Sequence, residues 1–162
     1  VLFSEALQTL DLPHAFFGFN GSAPNQCILS RLKGFDEPYD ESVQRRLGNL
    51  KAEGGTRMGA HIREASRLLD QRPQSRRLLL LLSDGKPEAR GEYRGRYGEA
   101  DSEMAVKEAR RLGVIVHCIS LDASEAAPTY LNSIFGPGHF HLMDQASSLP
   151  VRLPNVFRSL VR

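Results

Sequence analysis

Two oxygen-bearing side chains stand where they could do chemistry. Asp84 follows a run of five leucines in the stretch from Leu78 to Pro87 (LLLLLSDGKP), which breaks at once into Ser83, Asp84, Gly85, Lys86 and Pro87. Thr56 comes directly after Gly54 and Gly55 and before a helical pattern, so it is a hydroxyl on a loop entering a helix. A carboxylate and a hydroxyl are hard-oxygen donors of the kind Mg²⁺ accepts in an octahedral shell that keeps several waters. Two such groups do not hold the ion alone. Each also has a plainer reading: Asp-Gly is a common turn at a strand end, and a threonine opening a helix is a usual N-cap.

The elements that must position these groups follow from periodicity. Five leucines are too few to span a bilayer but suit a strand buried on both faces, as strands of parallel sheets are. Asp84 then lies at the carboxyl end of that strand, the edge where open α/β sheets bind ligands. Residues 114–121 (VIVHCISL) read as a second buried strand, 15–19 and 27–32 as a short pair able to form a hairpin, and 139–143 as a short last strand. Helical stripes run through Phe3, Leu7 and Leu10, through Val43, Leu47 and Leu50, and through Met58, Ile62, Ala65 and Leu69. Asp101 or Ser102 can cap a further helix with the stripe Ala105, Ala109 and Leu112, leaving residues 88–100 as a polar loop. A short helix follows over 128–135, and Pro154 can open a last one carrying Val156, Phe157 and Leu160. Strands alternating with helices predict a doubly wound, mostly parallel sheet with helices on both faces and right-handed crossovers.

At 162 residues, 41% of them hydrophobic, the chain reads as one domain over 1–162 with a real core. Its net charge of +2 gives no general reason to expect nucleic acid. Nothing has the length and apolarity of a membrane span. Cys27 and Cys118 lie far apart without metal-ligand spacing, so they read as buried thiols of a reducing compartment, which implies a cytoplasmic protein. The chain starts at Val1 inside a helix-like pattern, which reads as a piece of a longer protein.

The runs GGTRMGAHIREASRLL and LLLLLSDGKP together resemble the von Willebrand factor A domain, in which a Thr loop and an Asp at a strand end face a metal-ion-dependent adhesion site. With RLKGFDEPYDESVQRRL and GRYGEADSEMAVKEARRLG in the same order, the resemblance narrows to the domain that closes the nitric-oxide-reductase activation protein (NorD) and its Rubisco-activase relative (CbbO). It implies a non-catalytic adaptor beside a hexameric MoxR-type AAA+ ATPase. It further implies Thr56 and Asp84 as Mg²⁺ ligands, with one metal position left for an acidic side chain of a client enzyme, Rubisco or nitric oxide reductase. The sequence departs from the pattern in two places. The family's first strand, ending in Asp-x-Ser-x-Ser, does not occur, so the expected central slot between the strands at 15–19 and 78–82 is empty. We expect that strand in the natural protein upstream of Val1, or from another chain, because two bare strand edges inside a core are costly. The loop after Pro87 also carries Arg90, Arg94 and Arg96 with Tyr93 and Tyr97 instead of a largely acidic set.

That Arg/Tyr loop supplies an alternative: a metal-free domain docking an acidic partner, since Arg and Tyr are favoured at binding hot spots. A weaker alternative is phosphotransfer on Asp84 as a nucleophile. The second carboxylate needed two residues later is replaced by Lys86, and the lysine that receiver domains carry at a later strand end is replaced by Asp122. His139 and His141 share one strand face without a third ligand near in sequence, and they read as rim residues. His61 reads as exposed or hydrogen-bonded to the backbone.

Overall fold

The computed structural model describes residues 12–21, 23, 26–51, 54–143 and 145. The leucine run forms strand β3 (Arg77–Ser83) and pairs in parallel with β4 (Val114–Ser120), in unbroken register from Arg77 opposite Val114 to Ser83 opposite Ser120. A short β5 (Phe140–Leu142) adds in parallel to the far side of β4. Strands β1 (Phe16–Gly21) and β2 (Cys27–Lys33) form a separate antiparallel pair with a register shift between Phe16 and Phe17. The expected hairpin is therefore present.

Among the described residues four helices connect the strands. In α1 (Glu41–Gly48) the Asp40 carboxylate accepts the amides of Ser42 and Val43 as an N-cap. Helices α2 (Met58–Asp70), α3 (Gly95–Arg111) and α4 (Ala127–Phe135) bury their apolar stripes on one face of the parallel sheet. Strand residues alternate between faces, so Leu79, Leu81, Val116 and Cys118 meet these helices while Leu80, Ile119 and Leu121 gather on the other face around Met143. The helices expected at the two ends of the chain lie outside the described residues.

Among the described residues no strand joins β1 to β3, and the sheet falls into two pieces of order β1-β2 and β3-β4-β5. A largely apolar cavity of about 360 Å³ separates them, lined by Phe17 and Phe19 of β1, Leu79 and Leu81 of β3, and Ile62 and Leu69 of α2. It coincides with the empty slot that the sequence led us to expect.

Two expectations are corrected. Helix α3 starts at Gly95, so Asp101 and Ser102 lie inside it and do not cap it, and Arg96 and Tyr97 belong to its first turn. The glycines at 95 and 98 hide a helix whose inner face needs little side chain: Gly98 is buried, and the Ser102 hydroxyl donates back to its carbonyl at 2.7 Å. Second, only Cys118 is buried; Cys27 is exposed on the outer strand of the hairpin. No helix of the described residues is long and apolar enough to cross a membrane.

His61, on α2, is 4% exposed; its Nδ1 lies 2.8 Å from the Arg57 carbonyl at the start of its own helix, and its Nε2 ties the helix to the hairpin at the carbonyls of Asn20 (2.9 Å) and Ile28 (3.2 Å). His117 is fully buried on β4, its Nε2 2.8 Å from Nδ1 of His141 on β5, and its own Nδ1 has no partner among the described residues. Burial, followed by the nearby His141 and His139, pushes its pKa down from 6.5 to about 4. The folded state thus holds His117 neutral where an unfolded chain takes up a proton, and that stability is complete above about pH 6.5 and lost as pH falls towards about 4. Urea midpoints should therefore fall between pH 7.5 and pH 5, and His117→Gln should shrink the difference. An undiminished acid loss in the variant would place the sensitivity elsewhere.

Candidate functional site

At the end of β3 the turn is stitched by Ser83, not by Asp84. The Ser83 hydroxyl donates to the Gly85 carbonyl at 3.0 Å and lies 3.4 Å from the Gly85 amide. A turn-forming aspartate would spend its carboxylate on such an amide. Here Asp84 is exposed, and its carboxylate makes no hydrogen bond or ion pair among the described residues. Thr56 is likewise not spent on a cap: the N-cap of α2 is Arg57, with no side-chain cap bond.

The backbone brings the Thr56 loop against the segment that follows Asp84. The Thr56 amide donates to the Glu88 carbonyl at 2.6 Å, and the Gly21 amide at the end of β1 donates to the Gly55 carbonyl at 2.7 Å. Gly55 is needed for this approach, since a Cβ there would stand 2.7 Å from the Ala89 Cα. A hydroxyl and a carboxylate, both unspent and on loops tied to each other, are hard-oxygen donors that suit Mg²⁺. Among the described residues no group of three His, Cys, Asp or Glu side chains is arranged to hold a metal.

The five residues of the Arg/Tyr loop separate into two sets. Arg90 and Arg94 line an open depression of about 470 Å³ together with Gly54, Gly55, Glu88 and Ala89, directly beside the Thr56 loop. Arg96 and Tyr97 are exposed on the first turn of α3. Tyr93 is different: only 2% exposed, it cannot present its ring to a partner. Its hydroxyl accepts the Gly59 amide at 3.1 Å and donates to Asp101 Oδ2 at 2.7 Å, while the Arg57 guanidinium stacks 4.6 Å from its ring centroid. Burial and the Asp101 carboxylate push the phenol up to about 12. Periodicity did not reveal this cluster, because Asp101 read as a cap and Gly59 lies 34 positions from Tyr93.

A second cluster stands at the end of β4. Asp122 accepts the Ser124 amide and the Tyr130 hydroxyl, each at 2.8 Å, and these bonds hold its carboxyl below the ordinary range. Burial and Asp122 raise the Tyr130 phenol. Lys86 sits 5.5 Å over the Tyr130 ring. Asp122 is thus a turn former, and unlike Asp84 its carboxylate is occupied.

Comparison with known proteins agrees with this architecture. The von Willebrand factor type A domain matches residues 19–155. An uncharacterized protein of Pseudomonas aeruginosa is 46% identical over 162 residues, all of this chain and 26% of that protein. Protein NorD of Stutzerimonas stutzeri is 41% identical over 152 residues, 93% of this chain and 24% of the relative. Protein NorD of Brucella melitensis is 40% identical over 132 residues, 82% of this chain and 20% of the relative. The chain therefore spans about a quarter or less of the length of these curated relatives.

The close packing of the loop after Asp84 gives a direct test. A Cβ on Gly98 would overlap the Pro87 carbonyl oxygen, a backbone atom that cannot step aside. Gly98→Ala should destabilise by about 1–3 kcal/mol in urea unfolding despite the helix-propensity gain of about 1 kcal/mol. Gly85→Ala, with nothing within 4 Å of the added atom, should stay within about 0.5 kcal/mol of wild type. Equal midpoints for the two variants would contradict this packing.

Proposed function

The chain belongs to the von Willebrand factor type A domain family, and from that premise we propose that it is the client-binding domain of an adaptor working beside a hexameric MoxR-type AAA+ ATPase. Identity of 40–41% to proteins named NorD over most of the chain supports this placement. The client is then nitric oxide reductase or, by the family's other branch, Rubisco, met in the cytoplasm. The domain is not itself a catalyst in this reading.

The contact runs through Mg²⁺ at the carboxyl edge of the sheet. Thr56 and Asp84 would hold the ion, Asp84 through a water, and an Asp-x-Ser-x-Ser strand seated in the apolar cavity between β1 and β3 would supply the remaining protein ligands. When bound, the ion would offer one coordination position to an acidic side chain of the client, discriminating by charge and geometry. The observation that carries this reading is that Asp84 is left unspent while Ser83 makes the turn and Asp122 makes its own. A structural aspartate would be paired.

A second reading has its own support. Arg90, Arg94, Arg96 and Tyr97 are exposed, and none of the three arginines forms an ion pair among the described residues. They could dock an acidic partner without metal.

Full-length natural protein, titrated calorimetrically with Mg²⁺ and mixed with ATPase and nitric oxide reductase or Rubisco, separates the two readings. Under the metal reading Asp84→Ala abolishes Mg²⁺ uptake and client capture with the unfolding midpoint unchanged, Thr56→Ala weakens both less, and EDTA releases the client. Capture that survives EDTA and Asp84→Ala but is lost in Arg90→Glu/Arg94→Glu establishes the metal-free alternative. Unfolding of Asp84→Ala would show the carboxylate to be structural.

A further inference from the structure

Thr56 sits on a loop that local structure alone does not hold. Gly54 adopts φ 78°, Gly55 follows, and α2 begins at Arg57 with no side-chain cap bond. Such a segment is free to move unless something else ties it, and a hydroxyl on it would reach a metal only part of the time. The described structure ties it by the backbone bonds of Thr56 to Glu88 and of Gly21 to Gly55, and, at the start of α2, by the Tyr93 side chain.

The geometry of that tie is specific. The Gly59 amide lies in the first turn of α2, where an N–H has no acceptor within the helix. The Tyr93 hydroxyl accepts it at 3.1 Å and donates its own hydrogen bond to Asp101 Oδ2 at 2.7 Å. Asp101 is fixed in turn by Arg63 of α2, whose Nη1 donates to Oδ1 at 2.8 Å and whose Nε donates to Glu108 at 2.6 Å. The residue after Thr56, Arg57, stacks on the Tyr93 ring. On the other side, the Tyr93 carbonyl accepts the Ala89 amide at 2.7 Å, closing the segment whose Glu88 carbonyl receives the Thr56 amide. Tyr93 therefore touches both the start of α2 and the loop that begins at Asp84. Gly59 permits the approach, because a Cβ there would overlap the Asp101 carboxylate.

We propose that Tyr93 is the positioning residue of the metal site: its hydroxyl, bridging the Gly59 amide and Asp101, locks the loop carrying Thr56 against the segment leading from Asp84. This inference rests on the metal reading above and assigns Tyr93 a role inside the domain, in place of the partner contact expected from its neighbours. Tyr93 does not touch the ion. It acts by keeping one ligand loop at a fixed distance from the other, so that binding the ion does not also have to order the loop.

The test is Mg²⁺ calorimetry on the full-length natural protein. Tyr93→Phe keeps the ring and removes the hydroxyl, and it should weaken Mg²⁺ binding by about tenfold, the equivalent of one buried hydrogen bond. Asp101→Asn, which keeps an oxygen acceptor for the phenol, should retain most of the affinity. Asp101→Ala should lose it, and carries the test if Tyr93→Phe does not fold. A merely structural role would lower the unfolding midpoint of Tyr93→Phe and leave the affinity of the folded protein unchanged, and that result overturns the proposal. Wild-type protein that takes up no Mg²⁺ overturns the metal site itself and the lock with it. Wild-type uptake matched by equal uptake in Tyr93→Phe and Asp101→Ala overturns the lock alone.

Discussion

The parallel register of β3 and β4 is the constraint from which the rest of this domain follows. Seven consecutive pairs place Ser83 opposite Ser120, so both strands end level with each other. Parallel pairing makes the carboxyl ends coincide, and the crossover helices begin from that same edge. Asp84 and Asp122 are thereby put side by side in the topology, and the loops leading into α2 and α3 are brought towards them. A slip of one residue would exchange the faces of every leucine, driving Leu79 and Leu81 out of contact with α2 and α3. The chemistry at the edge is therefore as well specified as the core beneath it.

What distinguishes the two aspartates is which groups nearby are left needing a partner. At Asp122 the Ser124 amide and the Tyr130 hydroxyl both require an acceptor, and the carboxylate meets both. At Asp84 the corresponding need is met by the Ser83 hydroxyl, and the carboxylate stays free. Two strand ends of the same sheet thus carry the same residue in different states, one committed to structure and one available to a ligand. The segments around Asp84 are held by close approaches of Gly55 to the Ala89 backbone, of Gly59 to the Asp101 carboxylate and of Gly98 to the Pro87 carbonyl, each of which a side chain would obstruct. This edge is built by exclusion of atoms as much as by contacts.

The cavity between β1 and β3 is the structural counterpart of that edge. Each of the two strands has one hydrogen-bonded neighbour among the described residues, and their facing sides are lined with phenylalanine and leucine. Unpaired ladder groups beside apolar surface are unfavourable in water and favourable once a strand pairs with them. A strand seated there would end at the same edge as Asp84. Completion of the sheet and completion of a metal shell would then be one event.

Much of this was legible in residue order because it depends on local pattern. Five leucines bounded by Ser-Asp-Gly read as a strand, and β3 is one, although beside the empty slot only Leu81 is buried and Leu82 is 37% exposed, so the burial expected on both faces is not observed. Helices α1, α2 and α4 and the hairpin came out within a few residues of their observed limits. The start of α3 was not legible, because Gly95 and Gly98 weaken the helical signal and the contact of Gly98 with Pro87 lies far along the fold. Nor were the separate fates of neighbouring residues: Tyr93 is buried and Tyr97 exposed although both read as one aromatic and basic loop, and Cys27 is exposed where Cys118 is buried. The sequence by itself determined most of the strands and helices through periodicity, the family through the resemblance of its motifs, and the two oxygen-bearing side chains near the sheet edge through residue chemistry. Only the tertiary structure decided which polar groups are already partnered, because a hydrogen bond such as that from the Gly59 amide to Tyr93, 34 positions apart, depends on distances that no local pattern carries.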